Sequence, residues 1–495
     1  MKSTQLSSPP RLFDLPTEIL LLIFSHFCLH CREPNEVLEI YYPNKQQEYD
    51  QPSWYSLDLQ ALYSICLVSR RFRDIAQPIL YHEFVPGYGD SCISQQYSWT
   101  GRLFCFFRTV TLRPDLADLV QRFYLSHWLL DVDIMGQRRI QAILEESARV
   151  RDINLSEFLR PFHSLPAREC LGIYRPAYEE LVAMLLSFLP NLIRLYLTRA
   201  VPSSPIPVES LSVAGTRRMR LKSIEIDASN SNLRTRLGGI LDMSVSTLTS
   251  LNINSYCSYN GDKLGISGVF FPNLRTISVT MSGMIGSDLE SLLSRCTGLE
   301  TFIYDSTSII FCIRPSMIIK YLNRHRDTLT TLRLDLRDAR ITHERFLHER
   351  IFSLRSFPVL SHVSLNLLFV YNSTNEHQQD DNALCQLLPS SIISLQLYDT
   401  VGTPAGARLS QGLLQLIDAV SQGQFSRLKS IRCFVREQIG GYDISMVFKG
   451  VGIELEMILG PPSDVVPRWR GSTASSLDVD IPTANLGDIH RRHSL

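Results

Sequence analysis

Residues 190–197 read PNLIRLYL, with apolar side chains at Leu192, Leu195 and Leu197. Side chains alternate along a strand, so Leu195 and Leu197 share one face and Tyr196 takes the other. The same triplet returns as Leu221-Ile224-Ile226, Leu248-Leu251-Ile253, Leu274-Ile277-Val279 and Leu299-Phe302-Tyr304. It continues as Leu329-Leu332-Leu334, Leu360-Val363-Leu365, Ile392-Leu395-Leu397 and Leu428-Ile431-Cys433. Any buried strand can show one such triplet. A run of them at intervals of roughly 25 to 36 residues is an internal repeat. Val120-Phe123-Leu125 and Val150-Ile153-Leu155 are two earlier candidates for the same pattern.

Between the triplets lie stretches with helical periodicity. Residues 177–189 (AYEELVAMLLSFL) have a broad apolar face. Residues 287–295 begin with Ser287 and Glu290 at capping-box spacing. Residues 317–325, 383–388 and 409–420 are similar. A strand followed by a helix cannot bury its own apolar face, but stacked copies share one continuous core. The expected architecture over 100–460 is therefore an irregular α/β solenoid of parallel strands and helices, with residues 161–176 looping out. Val451, Ile453, Leu455, Met457 and Leu459 alternate with polar neighbours and predict a last, half-buried strand that closes its end. Residues 461–495 are rich in Pro, Ser, Gly and Asp, and predict a disordered tail.

The N-terminal part has a different pattern. In LFDLPTEILLLIFSHF (residues 12–27), Pro16 suits a first helical position and Glu18 the first turn. Ile19, Ile23 and Phe27 form one apolar row, with Leu20 and Phe24 beside it. A second helix is predicted over 57–69 and a third over 71–76, ended by Pro78. Three short helices carry more apolar surface than they can bury among themselves, which suits a partner. The polar stretch 30–54 between the first two reads as an inserted surface loop.

The stretches LFDLPTEILLLIFSHF and SICLVSRRFRDIAQPILYHEF resemble the two halves of an F-box, and the trailing Ala76, Pro78, Leu80 and Tyr81 resemble its fungal members. The resemblance covers residues 12–85, after a short tail at 1–11. The repeats resemble, less closely, the leucine-rich-repeat half of F-box proteins. The Asn or Cys that this family often has three residues after the last anchor is absent; Ala200, Ser229 and Tyr256 stand there instead. The resemblance implies a small all-helical F-box that docks on the adaptor of an SCF-type cullin ubiquitin ligase. It implies adaptor contacts at Leu15, Pro16, Ile19, Leu20, Ile23, Val68, Ser69 and Phe72, although Leu20 and Val68 can equally be core residues of the helices.

Composition sets further limits. Lys plus Arg equals Asp plus Glu at 49 each, which gives no electrostatic reason to expect nucleic acid. No apolar run approaches the ~18 residues of a membrane span, and none precedes the first motif as a signal peptide would. Eleven scattered cysteines read as buried thiols of a reducing compartment, so the expected location is cytoplasmic or nuclear. No nucleophile–base pair or phosphate-binding loop stands out. His26, Cys28, His30 and Cys31 are spaced too tightly for the usual zinc arrangements and read as core or loop residues. His343, Glu344, His348 and Glu349 read as a solvated helix face. The expectation is a protein that is not an enzyme and has no metal or cofactor.

Two functions fit these readings. One is the substrate-recognition subunit of an SCF-type ligase, which recruits a target protein through its repeats. The other is a structural or interaction protein that keeps both modules without assembling a ligase. In either, the residue between the last two anchors and the residue after the third face the open side. That rule selects two residues in each repeat, and among them Tyr196, Glu225, Asp227, Arg333, Tyr398 and Phe434 are the candidates for target binding, with residues 372–382 as the alternative site.

Overall fold

The computed structural model describes residues 12–32, 54–85, 102–125, 134–163, 178–197, 206–216, 218–227, 233–254, 256, 264, 266, 268–280, 282–305, 313–335, 353–371, 382–399, 405–435 and 443–459. The fold is α/β. One 12-stranded sheet runs in simple sequence order, β1 to β12, and every pairing in it is parallel. The strands are β1 (Glu83–Phe84), β2 (Arg122–Leu125), β3 (Arg194–Leu197), β4 (Ser223–Asp227), β5 (Ser250–Asn254) and β6 (Thr276–Thr280). They continue as β7 (Thr301–Asp305), β8 (Thr331–Asp335), β9 (His362–Asn366), β10 (Ser394–Tyr398), β11 (Ser430–Val435) and β12 (Glu454–Leu459). All three anchors of all nine triplets are buried in one continuous core. The triplets also stand in register: Leu195 pairs with Ile224, Ile224 with Leu251, and Leu251 with Ile277.

The polar devices of the stack differ from the absent Asn ladder. Just before the first anchor, a hydroxyl donates to the first-anchor carbonyl of an earlier strand. Thr247 Oγ1 reaches Leu221 O at 2.8 Å, Thr328 Oγ1 reaches Leu299 O at 2.7 Å, and Ser391 Oγ reaches Leu360 O at 2.7 Å. A backbone ladder runs beside it. The carbonyl of His82 accepts from Gln121 N–H, that of Gln121 from Ile193 N–H, and that of Ile193 from Lys222 N–H. The same linkage continues to Glu454 N–H on Lys429 O. These bonds satisfy the backbone where each strand enters the sheet.

Helices alternate with strands, among them Tyr178–Ser187, Gly286–Ser294, Pro315–Leu322, Ala383–Leu387 and Ala405–Ser421. Three local expectations are corrected. Val150-Ile153-Leu155 is no strand, but the turn between helices Ile134–Val150 and Leu155–His163. Asp152 takes φ 55° there, and Ile153 N–H closes the turn on Ala148 O. The second of these helices contains Pro161, so residues 161–163 are helical and not part of the loop expected over 161–176, the rest of which lies outside the described residues. The capping box at Ser287 and Glu290 does not form, because the helix begins one residue earlier with Ile285 at its N-cap. The last strand pairs with β11 as expected, but Leu459 on it is exposed.

The N-terminal helices are α1 (Thr17–Ser25), α2 (Leu29–Arg32), α3 (Trp54–Val68) and α4 (Arg70–Leu80). The third expected helix thus runs past Pro78, which sits in its last turn. They enclose a core of Leu20, Phe24, Cys28, Leu62, Cys66, Phe72, Ile75, Ala76 and Ile79. The expected all-helical unit over 12–85 is not self-contained, since residues 83–84 form the first strand of the sheet. A small cluster of Leu29, Tyr55, Val85 and Tyr124, with Tyr196 against it, joins helices and sheet. The tails at 1–11 and 461–495, most of the insertion (33–53), residues 372–381 and His343 to Glu349 lie outside the described residues. Among the described residues, no helix is long and apolar enough to cross a membrane.

Candidate functional site

Three features of the described residues concern function. The first is the surface of the N-terminal helices. Ser69 is the N-cap of α4, its hydroxyl accepting from Phe72 N–H at 3.1 Å. Phe72 is buried, stacked on Phe13 at 4.7 Å and edge-on to Phe24 at 5.7 Å. Arg71 donates to the carbonyls of Phe13 and Leu15, both at 2.6 Å, and so ties the segment before α1 to α4. Leu20 is a core residue. Leu15 is half-buried and Pro16 exposed. Ile19, Ile23 and Val68 lie open at 43%, 36% and 58% exposure. Leu12, Phe13, Leu21, Leu22, Leu57, Tyr63 and Leu67 are exposed beside them in sequence, a set that the expected contact residues do not include.

The second feature is the strand face opposite the anchors. The rule that residues after the third anchor face the open side is corrected, because they are largely covered. Asn254, Thr280, Asp335 and Asn366 are buried, and Tyr398 and Phe434 are only 2% and 5% exposed. Tyr398 stacks on Phe434 at 5.2 Å, donates to Gln396 Oε1 at 3.0 Å and accepts from the Ser364 hydroxyl at 2.9 Å. Arg333 lies with its Cζ 5.9 Å over the Tyr398 ring and pairs with Asp335 at 3.8 Å. Glu225 accepts from Asn254 Nδ2 at 2.8 Å, and Thr280 Oγ1 donates to Asn254 Oδ1. Asp227 pairs with Asn254 across the sheet. Tyr196 is half-buried and stacks on Tyr124 at 4.7 Å. Of the selected side chains, Arg333, Tyr398 and Phe434 are joined in one run, whereas Tyr196 and Glu225 contact Tyr124 and Asn254.

The third feature was not legible as a site. Cys28, His30, Cys31 and His82 bring one donor atom each to within 4.8 Å of one another. Cys31 Sγ lies 3.2 Å from His82 Nδ1 and 3.9 Å from His30 Nδ1, and Cys28 Sγ lies 3.9 Å from His82 Nδ1. The His30 and His82 rings meet edge-on at 5.1 Å. His26 is exposed and takes no part. The Cys31 partner and then burial push the Cys28 thiol up to about 12, and Cys28 as hydrogen-bond donor holds Cys31 below the usual thiol range.

Local structure explains why the cluster forms. Glu83, buried at the start of β1, accepts from Leu29 N–H at 2.9 Å and His30 N–H at 3.1 Å, the free amides at the start of α2. Tyr55 donates to the same carboxylate at 3.0 Å. This fixes the 28–31 turn against the residue next after His82. The expectation of a chain with no metal site, and of a protein that is not an enzyme, is corrected by this group. Its four donors are able to hold a metal ion, which makes it a candidate catalytic or cofactor-binding centre. Compared with known proteins, the chain matches no family model and no curated protein.

Proposed function

We propose that this chain is an interaction protein with two binding modules. The N-terminal helices take one partner on their apolar face, and the parallel-stranded repeats take another. The observation that carries this reading is where the exposed apolar side chains lie. Ten of the exposed large hydrophobic residues fall between Leu12 and Val68, against eight in all the other described residues. Apolar surface concentrated in this way favours burial against a partner.

The F-box resemblance gives the first partner a chemistry, the adaptor of an SCF-type cullin ubiquitin ligase. In this finer reading residues 12–85 form the docking module. Ile19, Ile23 and Val68 supply contact area, Leu15 and Pro16 set the approach of α1, and Leu20, Ser69 and Phe72 hold the helices in place behind them. Residues 100–460 then hold a target protein near the ligase, which acts by raising local concentration. Half-buried Tyr196 with Glu225, Asp227 and Arg333 supplies the receptor surface, and the covered pair Tyr398 and Phe434 stiffens it.

Affinity capture from cell extract tests both levels, using the intact chain and a variant carrying Ile19→Glu and Val68→Glu. Recovery of adaptor and cullin with the intact chain alone supports the ligase receptor. Adaptor without cullin supports the non-ligase scaffold. Identical partners for both proteins would contradict the docking face.

A further inference from the structure

We propose that Cys28, His30, Cys31 and His82 bind one zinc ion, which clamps the N-terminal helices to the first strand of the sheet. This inference stands independently of the docking face. Zinc takes four donors in a tetrahedron, with Zn–S near 2.3 Å and Zn–N near 2.0–2.1 Å, so neighbouring donors sit about 3.3–3.8 Å apart. The separations of 3.2 and 3.9 Å within the cluster bracket that range. The widest permitted by the cluster, 4.8 Å, closes to it by side-chain shifts of about 1 Å.

The donor set also fits. Two thiolates balance the charge of a divalent ion, and thiolate with imidazole suits zinc among the common biological cations. Cys28 and Cys31 carry the two-residue spacing that zinc sites often use. Four protein donors fill the tetrahedron and leave no open position, which is the arrangement of a structural ion. Glu83 acts as the outer support, holding the backbone of the ligand turn by two amides. Packing alone gives no reason for two thiols and two imidazoles to converge. Cys66, Cys296, Cys385 and Cys433 show the ordinary alternative, single thiols buried away from any such group.

The position of the ligands gives the ion its role. Cys28 immediately precedes α2, His30 and Cys31 lie in α2, and His82 immediately precedes β1. The His82 carbonyl is also the first acceptor of the backbone ladder along the sheet. An ion here joins the helices to the repeat stack at one residue.

The test uses the full chain, purified reduced and without chelator. Metal analysis should find about one zinc per chain. Cys28→Ser and Cys31→Ser should each weaken zinc binding by roughly tenfold or more, while Cys66→Ser and Cys105→Ser retain it. Because a cysteine variant can fail to fold, the unaltered chain is also stripped and titrated with cobalt(II), which should develop the visible bands of a tetrahedral thiolate site. His82→Cys should keep those bands with a shifted spectrum, and His82→Ala should lose them. The proposal is overturned if the stripped, reduced chain takes up neither metal. It is also overturned if zinc content is equal in the intact chain and both cluster-cysteine variants, or if a Cys28–Cys31 disulfide forms and no metal binds after its reduction.

Discussion

His82 Nδ1 lies 3.2 Å from Cys31 Sγ, while the carbonyl of the same residue accepts from Gln121 N–H at 2.8 Å and Arg122 N–H at 3.2 Å. One residue therefore belongs both to the helical N-terminal part and to the sheet. That joint explains why the helices do not form an isolated unit.

The joint depends on Glu83. Its buried carboxylate serves three donors, and a hydrogen bond to a charged group contributes about 1.5–3 kcal/mol. Glu83→Gln removes the charge and turns an N–H toward another N–H. The variant should lose stability on that scale, with faster amide exchange at Leu29 and His30 than at Leu195 or Leu251. Unchanged exchange at Leu29 and His30 would show that Glu83 does not hold the ligand turn.

Phe72 and Ile19 separate folding from docking. Phe72→Ala should cost about 3–5 kcal/mol, since a buried aromatic side chain leaves a cavity. Ile19→Ala should change stability by no more than about 0.5 kcal/mol, because the side chain is open to solvent. Denaturant unfolding of both variants measures the difference. Equal losses would place Ile19 in the core.

His325 gives the repeat stack a pH dependence. Its Nε2–H donates to Leu293 O at 3.0 Å, and Nδ1 has no partner among the described residues. Burial first, then the nearby Arg324 charge, hold its pKa below the usual imidazole value, against an opposing effect of the Leu293 bond that is smaller than burial. The unfolded chain therefore binds this proton more readily than the folded one. Stability contributed by neutral His325 is present above about pH 6.5, the ordinary imidazole pKa, and falls as pH drops toward the lower folded value. Replacing His325 by Gln should flatten the stability profile across that window. A profile with the same slope in both proteins would assign the pH dependence elsewhere.

The Tyr398 hydroxyl links Ser364 to Gln396 on the strand face opposite the anchors. Tyr398→Phe keeps the stack on Phe434 and removes both bonds, so it should cost about 1–3 kcal/mol. Thermal unfolding reads this directly. A neutral result would mean that water or a rotated Ser364 replaces the hydroxyl.

The strands were legible because each needs two buried side chains of the same parity, and the anchors from Leu192 to Cys433 supply them in sequence. The covering of the strand ends was not legible. Parity places Tyr398 and Phe434 on the open side, but the chain covers them there, and only tertiary structure shows it. The metal-capable group escaped for a different reason. Three of its donors lie within residues 28–31, whereas His82 lies 51 positions beyond Cys31, and no local spacing points to it. The short row Glu225–Asn254–Thr280 likewise joins residues of three different strands, and periodicity within one strand cannot reveal it.

In the proposed function the apolar face of the N-terminal helices is a docking surface. Calorimetric titration of the full chain with a purified SCF adaptor tests it most directly. The expected result is a dissociation constant of about 1 μM or tighter, a negative heat-capacity change from apolar burial, and a loss of roughly tenfold or more in Ile19→Glu and Leu22→Glu. Absence of binding at about 100 μM, or an affinity untouched by both substitutions, would contradict it.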